Sequence, residues 1–153
     1  MFYSPDELPS NRSIPSATVI PVLAYSDVRE AVKWLCEVFG FTERLQIADH
    51  RAQMVIGDGD MIVAEYIDRE RRPISGADHV SHLVMVRIPD VQRHYEHAKE
   101  HGAQILQPPV DHPYGERQYV AKDIGGHRWT FSQTLADVAP SDWGGTLISP
   151  KSV

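Results

Sequence analysis

Ser26-Asp27-Val28-Arg29-Glu30-Ala31-Val32-Lys33-Trp34-Leu35-Cys36-Glu37-Val38-Phe39-Gly40 carries a complete helix signal. Ser26 and Asp27 offer side-chain oxygens to cap the first turn. At about 100° per residue, Val28, Ala31, Val32, Leu35, Val38 and Phe39 fall on one face. Arg29, Glu30, Lys33 and Glu37 fall on the other, with Trp34 at the boundary between the two faces. The pattern predicts a helix over 28–39 that packs one side on a sheet. Gly40 ends it, because glycine takes the left-handed cap conformation cheaply.

Strand signals flank this helix. Ala17 to Tyr25 is an apolar, β-branched run, and Thr42 to Ile47, Gln53 to Ile56 and Met61 to Ile67 follow. Gly57-Asp58-Gly59-Asp60 is a hairpin turn between the last two. A charged linker, Asp68 to Asp78, comes next, and then the order repeats. His82 to Ile88 reads as a strand. Pro89-Asp90 opens a helix with Val91, Tyr95 and Ala98 on its inner face, and Gly102 closes it. Gln104 to Gln107, Arg117 to Lys122 and Arg128 to Ser132 read as strands. The landmarks repeat too: Asp27-Val28 matches Asp90-Val91, and the closing glycines lie 13 and 12 residues after the aspartates. The fold class is α+β, two βαβββ modules of which each exposes a sheet face that the other can cover. Residues 1–16 form a polar N-terminal arm. A single domain spans 17–133, with module one at 17–67 and module two at 79–133. Residues 134–153 form a tail that is either mobile or docked through Trp143.

Composition narrows the function classes. The chain has 153 residues, one domain's worth, with 42% hydrophobic and 24% charged residues, ordinary values for a globular protein. A net charge of −6 argues against a general nucleic-acid binder, which needs a basic footprint, and mildly favours a cationic ligand. No apolar run approaches the ~18 residues that cross a bilayer. The first residues carry acids and prolines where a secretory signal would be basic and apolar, so a cytoplasmic location is expected. Cys36 is the only cysteine, which excludes an internal disulfide and a thiolate zinc site. With no histidine near it in sequence, Cys36 reads as a half-buried structural thiol.

The repeat, the helix entries and the segment Tyr114-Gly115-Glu116-Arg117-Gln118-Tyr119-Val120-Ala121-Lys122-Asp123-Ile124-Gly125-Gly126-His127-Arg128-Trp129-Thr130-Phe131 resemble the vicinal oxygen chelate superfamily. That superfamily includes glyoxalase I, bleomycin-resistance proteins and extradiol dioxygenases. The most specific element is Asp-x-x-Gly-His-x-Trp-x-Phe in the last strand. Many members have Asp-Pro in this turn, where this chain has Asp123-Ile124. The resemblance implies paired modules forming a curled mixed sheet around a cleft, and frequently a homodimer. It also implies metal-ligand positions in the first and last strands of each module. Counted four residues past the turn glycines, the last-strand positions are Thr130 and Val63. The first-strand positions fall near Ile20 and at His82 or Leu83. Valine has no donor, and a threonine hydroxyl is a poor ligand beside carboxylate or imidazole. His82 with Glu65 could hold a metal only weakly, so no metal and no cofactor are expected.

Other side chains are candidate ligand contacts. Strand alternation sends Trp129 and Phe131 to the core and turns Arg128 and Thr130 toward the cleft. Arg128 could grip a carboxylate, phosphate or phenolate with a forked hydrogen bond, or sit in a surface ion pair. Tyr114, Arg117 and Tyr119 are candidates at the cleft mouth, with the proline-rich loop 108–115 as its rim; ordinary hairpin packing is the competing reading. His82 is a ligand-binding group or a strand histidine satisfied by its neighbours. His79 falls in the linker. His94, His97 and His101 are placed on the flank and outer side of the second helix, a solvated face. No catalytic triad order and no nucleotide fingerprint occurs. The expected function is binding of a small organic molecule in a cleft, without metal and without nucleic-acid or membrane partners, by a homodimer. The alternative is a lyase, isomerase or dioxygenase with a degenerate metal site.

Overall fold

The computed structural model describes residues 6, 8–66 and 82–148. The linker 68–78, Ile67 and His79 lie outside the described residues. The order of elements is β1 (Val22–Tyr25), α1 (Val28–Trp34), β2 (Thr42–Ile47), β3 (Arg51–Ile56), β4 (Gly59–Glu65), β5 (Val84–Arg87), α2 (Val91–Glu100), β6 (Gln104–Asp111), β7 (Glu116–Lys122) and β8 (Arg128–Thr134). Two four-stranded mixed sheets result, ordered β1-β4-β3-β2 and β5-β8-β7-β6. In each, the first and last strands run parallel and the other pairs are antiparallel. The α+β repeat of βαβββ modules is therefore present. The chain divides into two compact units, one built on each sheet.

The helix caps follow from the sequence. The Asp27 carboxylate accepts the Glu30 N–H at 3.0 Å, and Asp90 accepts that of Arg93 at 3.1 Å. The helix expected to run evenly to Phe39 instead widens after Trp34 into a π turn, Leu35–Phe39. The Gly40 and Phe41 amides both donate to the Leu35 carbonyl. The wider turn leaves Leu35, Val38 and Phe39 all buried, so the apolar face outweighs regular helix spacing. Trp34 meets Phe39 edge-on at 4.8 Å, and Cys36 is half-buried.

Three strand bounds need correction. The first strand covers only Val22–Tyr25, not 17–25. Pro21 has no N–H to give a ladder, and the Ala17 amide goes to the Asp60 carboxylate at 3.2 Å. The second module's first strand begins at Val84, so His82 precedes it. The strand expected to end at Gln107 continues to Asp111, through Pro108 and Pro109. It is an edge strand with two register shifts against β7, the setting in which proline is tolerated.

Within the first unit the arm is not loose. Gln53, buried in the middle of β3, donates to the Ser13 carbonyl at 2.8 Å and accepts from Arg44 Nη1. Arg44 Nη2 donates to the Arg12 carbonyl at 2.7 Å. Buried polar groups and arm backbone thus satisfy each other. In the second unit the tail forms a short 3-10 turn, Pro140–Trp143, and Trp143 packs on Tyr114 at 5.4 Å. Of the two possibilities for the tail, docking through the tryptophan is the one found.

Candidate functional site

The second sheet has two chemically distinct faces. Tyr119 is opposite Phe131 and Ala121 opposite Trp129, and all four are fully or almost fully buried. This is the side that α2 covers, since Tyr95 meets Tyr119 at 5.4 Å and His94 meets Phe131 at 4.2 Å. His94 is thus an inner residue, against the expectation of an outer flank. Its Nδ1 lies 2.6 Å from the Tyr119 hydroxyl. The buried phenol needs a polar partner, and the histidine supplies it. His97 and His101 are exposed, with stacked rings 4.0 Å apart.

Alternation places Arg128, Thr130 and Ser132 on the face away from α2, with Glu116, Gln118 and Val120 of β7 and Met85 and Arg87 of β5. A directed chain of hydrogen bonds crosses this face. The Tyr114 hydroxyl donates to Gln118 Oε1 at 3.2 Å, and Gln118 Nε2 donates to Ser132 Oγ at 2.9 Å. Ser132 Oγ then donates to Glu116 Oε1 at 2.8 Å. Each donor points toward the carboxylate, so the chain is polarised from one end. His112 stacks on Tyr114 at 5.0 Å, behind which lies Trp143. Thr130 is only 5% exposed, and its hydroxyl has no hydrogen-bond partner among the described residues.

The structure therefore gathers three of the sequence-derived candidates, Arg128, Thr130 and Tyr114, around one face. Arg117 and Tyr119 belong to the opposite face. Arg117 holds the Asp111 carboxylate through two hydrogen bonds of 2.7 and 3.1 Å, which keep Asp111 below its ordinary pKa. Tyr119 is fully buried under α2, and desolvation pushes its phenol well above the ordinary value. Glu65 is exposed at the end of β4 in the first unit, and His82 is exposed ahead of β5 in the second. Arg87, Glu116, Gln118 and Ser132 are not among the residues expected from the sequence. The available signal was alternation: Arg87 lies two residues beyond Met85, in phase with Ser132.

The register also corrects the metal-position count. Thr130 pairs with Met85 and Val120, and the residue paired in the same way in the first module is Ile62, with Val22 and Gln53. Val63 pairs instead with Leu23 and Ala52, in the buried set beneath α1. Equating Val22 with Met85 likewise equates Ile20 with Leu83, not with His82. The four ligand positions implied by the resemblance thus hold Ile20, Ile62, Leu83 and Thr130. Three aliphatic side chains and one hydroxyl do not fit a divalent ion. Among the described residues no group of three or more His, Cys, Asp or Glu side chains is placed to hold a metal.

Residues 17–131 match the model of the Glyoxalase/Bleomycin resistance protein/Dioxygenase superfamily. The crystal structure of TioX from Micromonospora sp. ML1 is similar at 31% identity and a TM-score of 0.63, covering 80% of this chain and 100% of that one. A glyoxalase/bleomycin resistance protein/dioxygenase from Nocardioides is similar at 18% identity and a TM-score of 0.59, over 86% of this chain and 89% of that one. A glyoxalase-related enzyme from Fulvimarina pelagi is similar at 15% identity and a TM-score of 0.62, over 87% and 99%. These last two are likenesses of fold. No curated protein matches the chain. Among the described residues no helix is long and apolar enough to cross a membrane.

Proposed function

The chain belongs to the glyoxalase/bleomycin resistance protein/dioxygenase superfamily, and we propose that within it this protein binds a small organic molecule without a metal ion. The observation that carries the proposal is the donor set Ile20, Ile62, Leu83 and Thr130 at the positions where the resemblance expects metal ligands. The proposed contact surface is the α2-free face of the second sheet. There Arg128 and the Thr130 hydroxyl offer donors, and the chain from Tyr114 to Glu116 offers both donors and acceptors. Binding rather than turnover is favoured because the expected metal-ligand positions hold aliphatic or hydroxyl side chains, and the Ser132 hydroxyl that meets Glu116 is itself buried. A homodimer in the cytoplasm is part of the same proposal, supported by the family resemblance and the sequence.

Elemental analysis of protein purified without a histidine tag tests it. The expected result is well under one equivalent of Zn, Ni, Mn or Fe per chain, with a melting temperature unchanged by EDTA. A stoichiometric metal held through His82 overturns the proposal in favour of a lyase, isomerase or dioxygenase with a degenerate site. Sedimentation at micromolar concentration reads the dimer.

A further inference from the structure

A hollow of about 280 Å³ opens in the second unit where β5 and β8 end. It is lined by Arg87, Ile88, Pro89, Ser132, Gln133 and Thr134. Its side chains include acceptors that are already engaged and donors that are not. Arg87 Nη2 donates to Thr134 Oγ1 at 3.1 Å. No carboxylate among the described residues pairs with this guanidinium, whereas Arg29 and Arg117 each hold one. The Thr134 hydroxyl accepts from Arg87 and so keeps its own hydrogen to give. Gln133 Oε1 is taken by the Val91 N–H at 2.9 Å, which leaves the amide NH₂ as its remaining polar group. Ser132 Oγ already accepts from Gln118 and donates to Glu116. A guanidinium and a hydroxyl hydrogen, both on the face away from α2, border a small space that Ile88 and Pro89 also line. That arrangement lacks an acceptor-only group with two oxygens, and its volume admits little more than one small ring.

We propose that this hollow binds a carboxylate, held by Arg87 with Thr134, and that the protein's ligand is a small organic acid with an apolar body. The identification of a ligand class rests on the small-molecule-binding proposal above. The chain's net negative charge does not oppose it. Charges beyond a Debye length of about 8 Å are largely screened, and the nearby Glu116 carboxylate is already occupied by the Ser132 hydroxyl. The planar fork of arginine also suits two carboxylate oxygens in a way that a lysine would not.

Benzoate is the probe, and benzamide is the uncharged molecule of the same shape. In a titration of the full chain followed by amide NMR, benzoate at millimolar concentration should shift Ile88, Ser132, Gln133 and Thr134, and benzamide should not. Arg87→Gln should weaken benzoate about tenfold or more, the effect of one lost charged hydrogen bond. Arg87→Lys should recover part of the affinity, and Lys99→Gln, which removes an exposed charge in the last turn of α2, should keep most of it. Arg87 is exposed, so both Arg87 variants should melt with the parent protein. Equal shifts from benzoate and benzamide, or an Arg87→Gln variant that binds benzoate as well as the parent, would overturn the proposal. So would benzoate shifts confined to other residues, or no binding at all. Metal analysis of the same sample reads the metal-free proposal separately. Arg87-dependent benzoate binding in a protein that also holds stoichiometric metal would sustain this site and sink that proposal.

Discussion

Trp129 donates its indole N–H to Asp123 Oδ2 at 3.0 Å, inside the buried part of the second unit. The other carboxylate oxygen accepts the His127 N–H at 2.9 Å, and the Asp123 N–H returns to the His127 carbonyl at the same distance. One side chain therefore closes the β7–β8 turn and fixes the largest core residue beneath it. Within this segment Asp123 and Trp129 act together as a turn lock. Asp123→Ala should cost about 1–3 kcal/mol, because it strands a buried indole N–H as well as the turn amide. Trp129→Ala should cost about 3–5 kcal/mol through loss of a large buried aromatic. Urea unfolding of both variants checks the pair, and an Asp123→Ala protein as stable as the parent would refute the lock.

Arg128 is the neighbour of Trp129 and points to the other face. Arg128→Ala should lose less than about 1 kcal/mol of stability, an ordinary cost for a half-buried polar side chain away from the packed face. If Arg128 contacts the ligand, the same change should weaken an anionic or aromatic ligand by about 1.5–3 kcal/mol. Thermal melts and ligand titrations on the Arg128 and Trp129 variants separate the two roles. A larger stability loss from Arg128→Ala than from Trp129→Ala would reverse the assignment of the faces.

Much of this fold can be read from local signals. The caps at Asp27 and Asp90, the glycine stops and the alternation around Trp129 are each written in a few adjacent residues. The repeat then links them without knowledge of contacts. What was not legible depends on partners distant in sequence. Gln53 looks like any polar strand residue until the backbone of Ser13 reaches it. His94 looks like a flank residue until the Tyr119 hydroxyl demands a partner beneath the helix. Prolines at 108 and 109 argue against a strand unless that strand is known to be an edge. Counting from a turn glycine reached Val63 rather than Ile62, because the two hairpin turns differ in length and one residue of offset reverses the face.

Tyr119 makes stability depend on pH in the alkaline range. Burial disfavours its phenolate, so its folded pKa lies above the unfolded value of 10.0. Below about pH 10 both states keep the proton and the contribution is constant. Above that, the unfolded chain releases a proton that the folded chain retains, so stability falls as pH rises. Tyr119→Phe should flatten this alkaline decline. It should also cost about 0.5–1.5 kcal/mol at neutral pH, where the bond to His94 is lost. Urea midpoints measured from pH 8 to about pH 11 would show both effects, and an undiminished decline in the variant would exclude Tyr119 as its source.

Cys36 lies in the π turn of the first helix, and desolvation raises its thiol above the ordinary value of 9.0. Because the thiolate is the reacting form, Ellman's reagent at pH 8 should label native protein more slowly than urea-unfolded protein. Cys36→Ser should leave ligand affinity unchanged. Native labelling as fast as unfolded labelling would show instead an activated thiol.

Gly115 couples the β6–β7 turn to the tail. Its φ is +85°, and an added Cβ would stand 2.4 Å from the Ala136 carbonyl oxygen and 2.9 Å from Val138 Cγ2. The Gly115 carbonyl also receives the Leu135 N–H at 2.7 Å. Gly126 supplies the control, with φ +86° and no atom within 4 Å of an added Cβ. Both substitutions by alanine pay the left-handed strain, about 1 kcal/mol. Only Gly115→Ala should also push the tail away and separate Trp143 from Tyr114. Its tryptophan fluorescence should become more accessible to iodide, and chymotrypsin, which has Leu135, Trp143 and Leu147 to cut at, should release the tail sooner than in Gly126→Ala. If the two variants gave the same quenching and the same tail cleavage, close packing at Gly115 would not be what holds Trp143 in place.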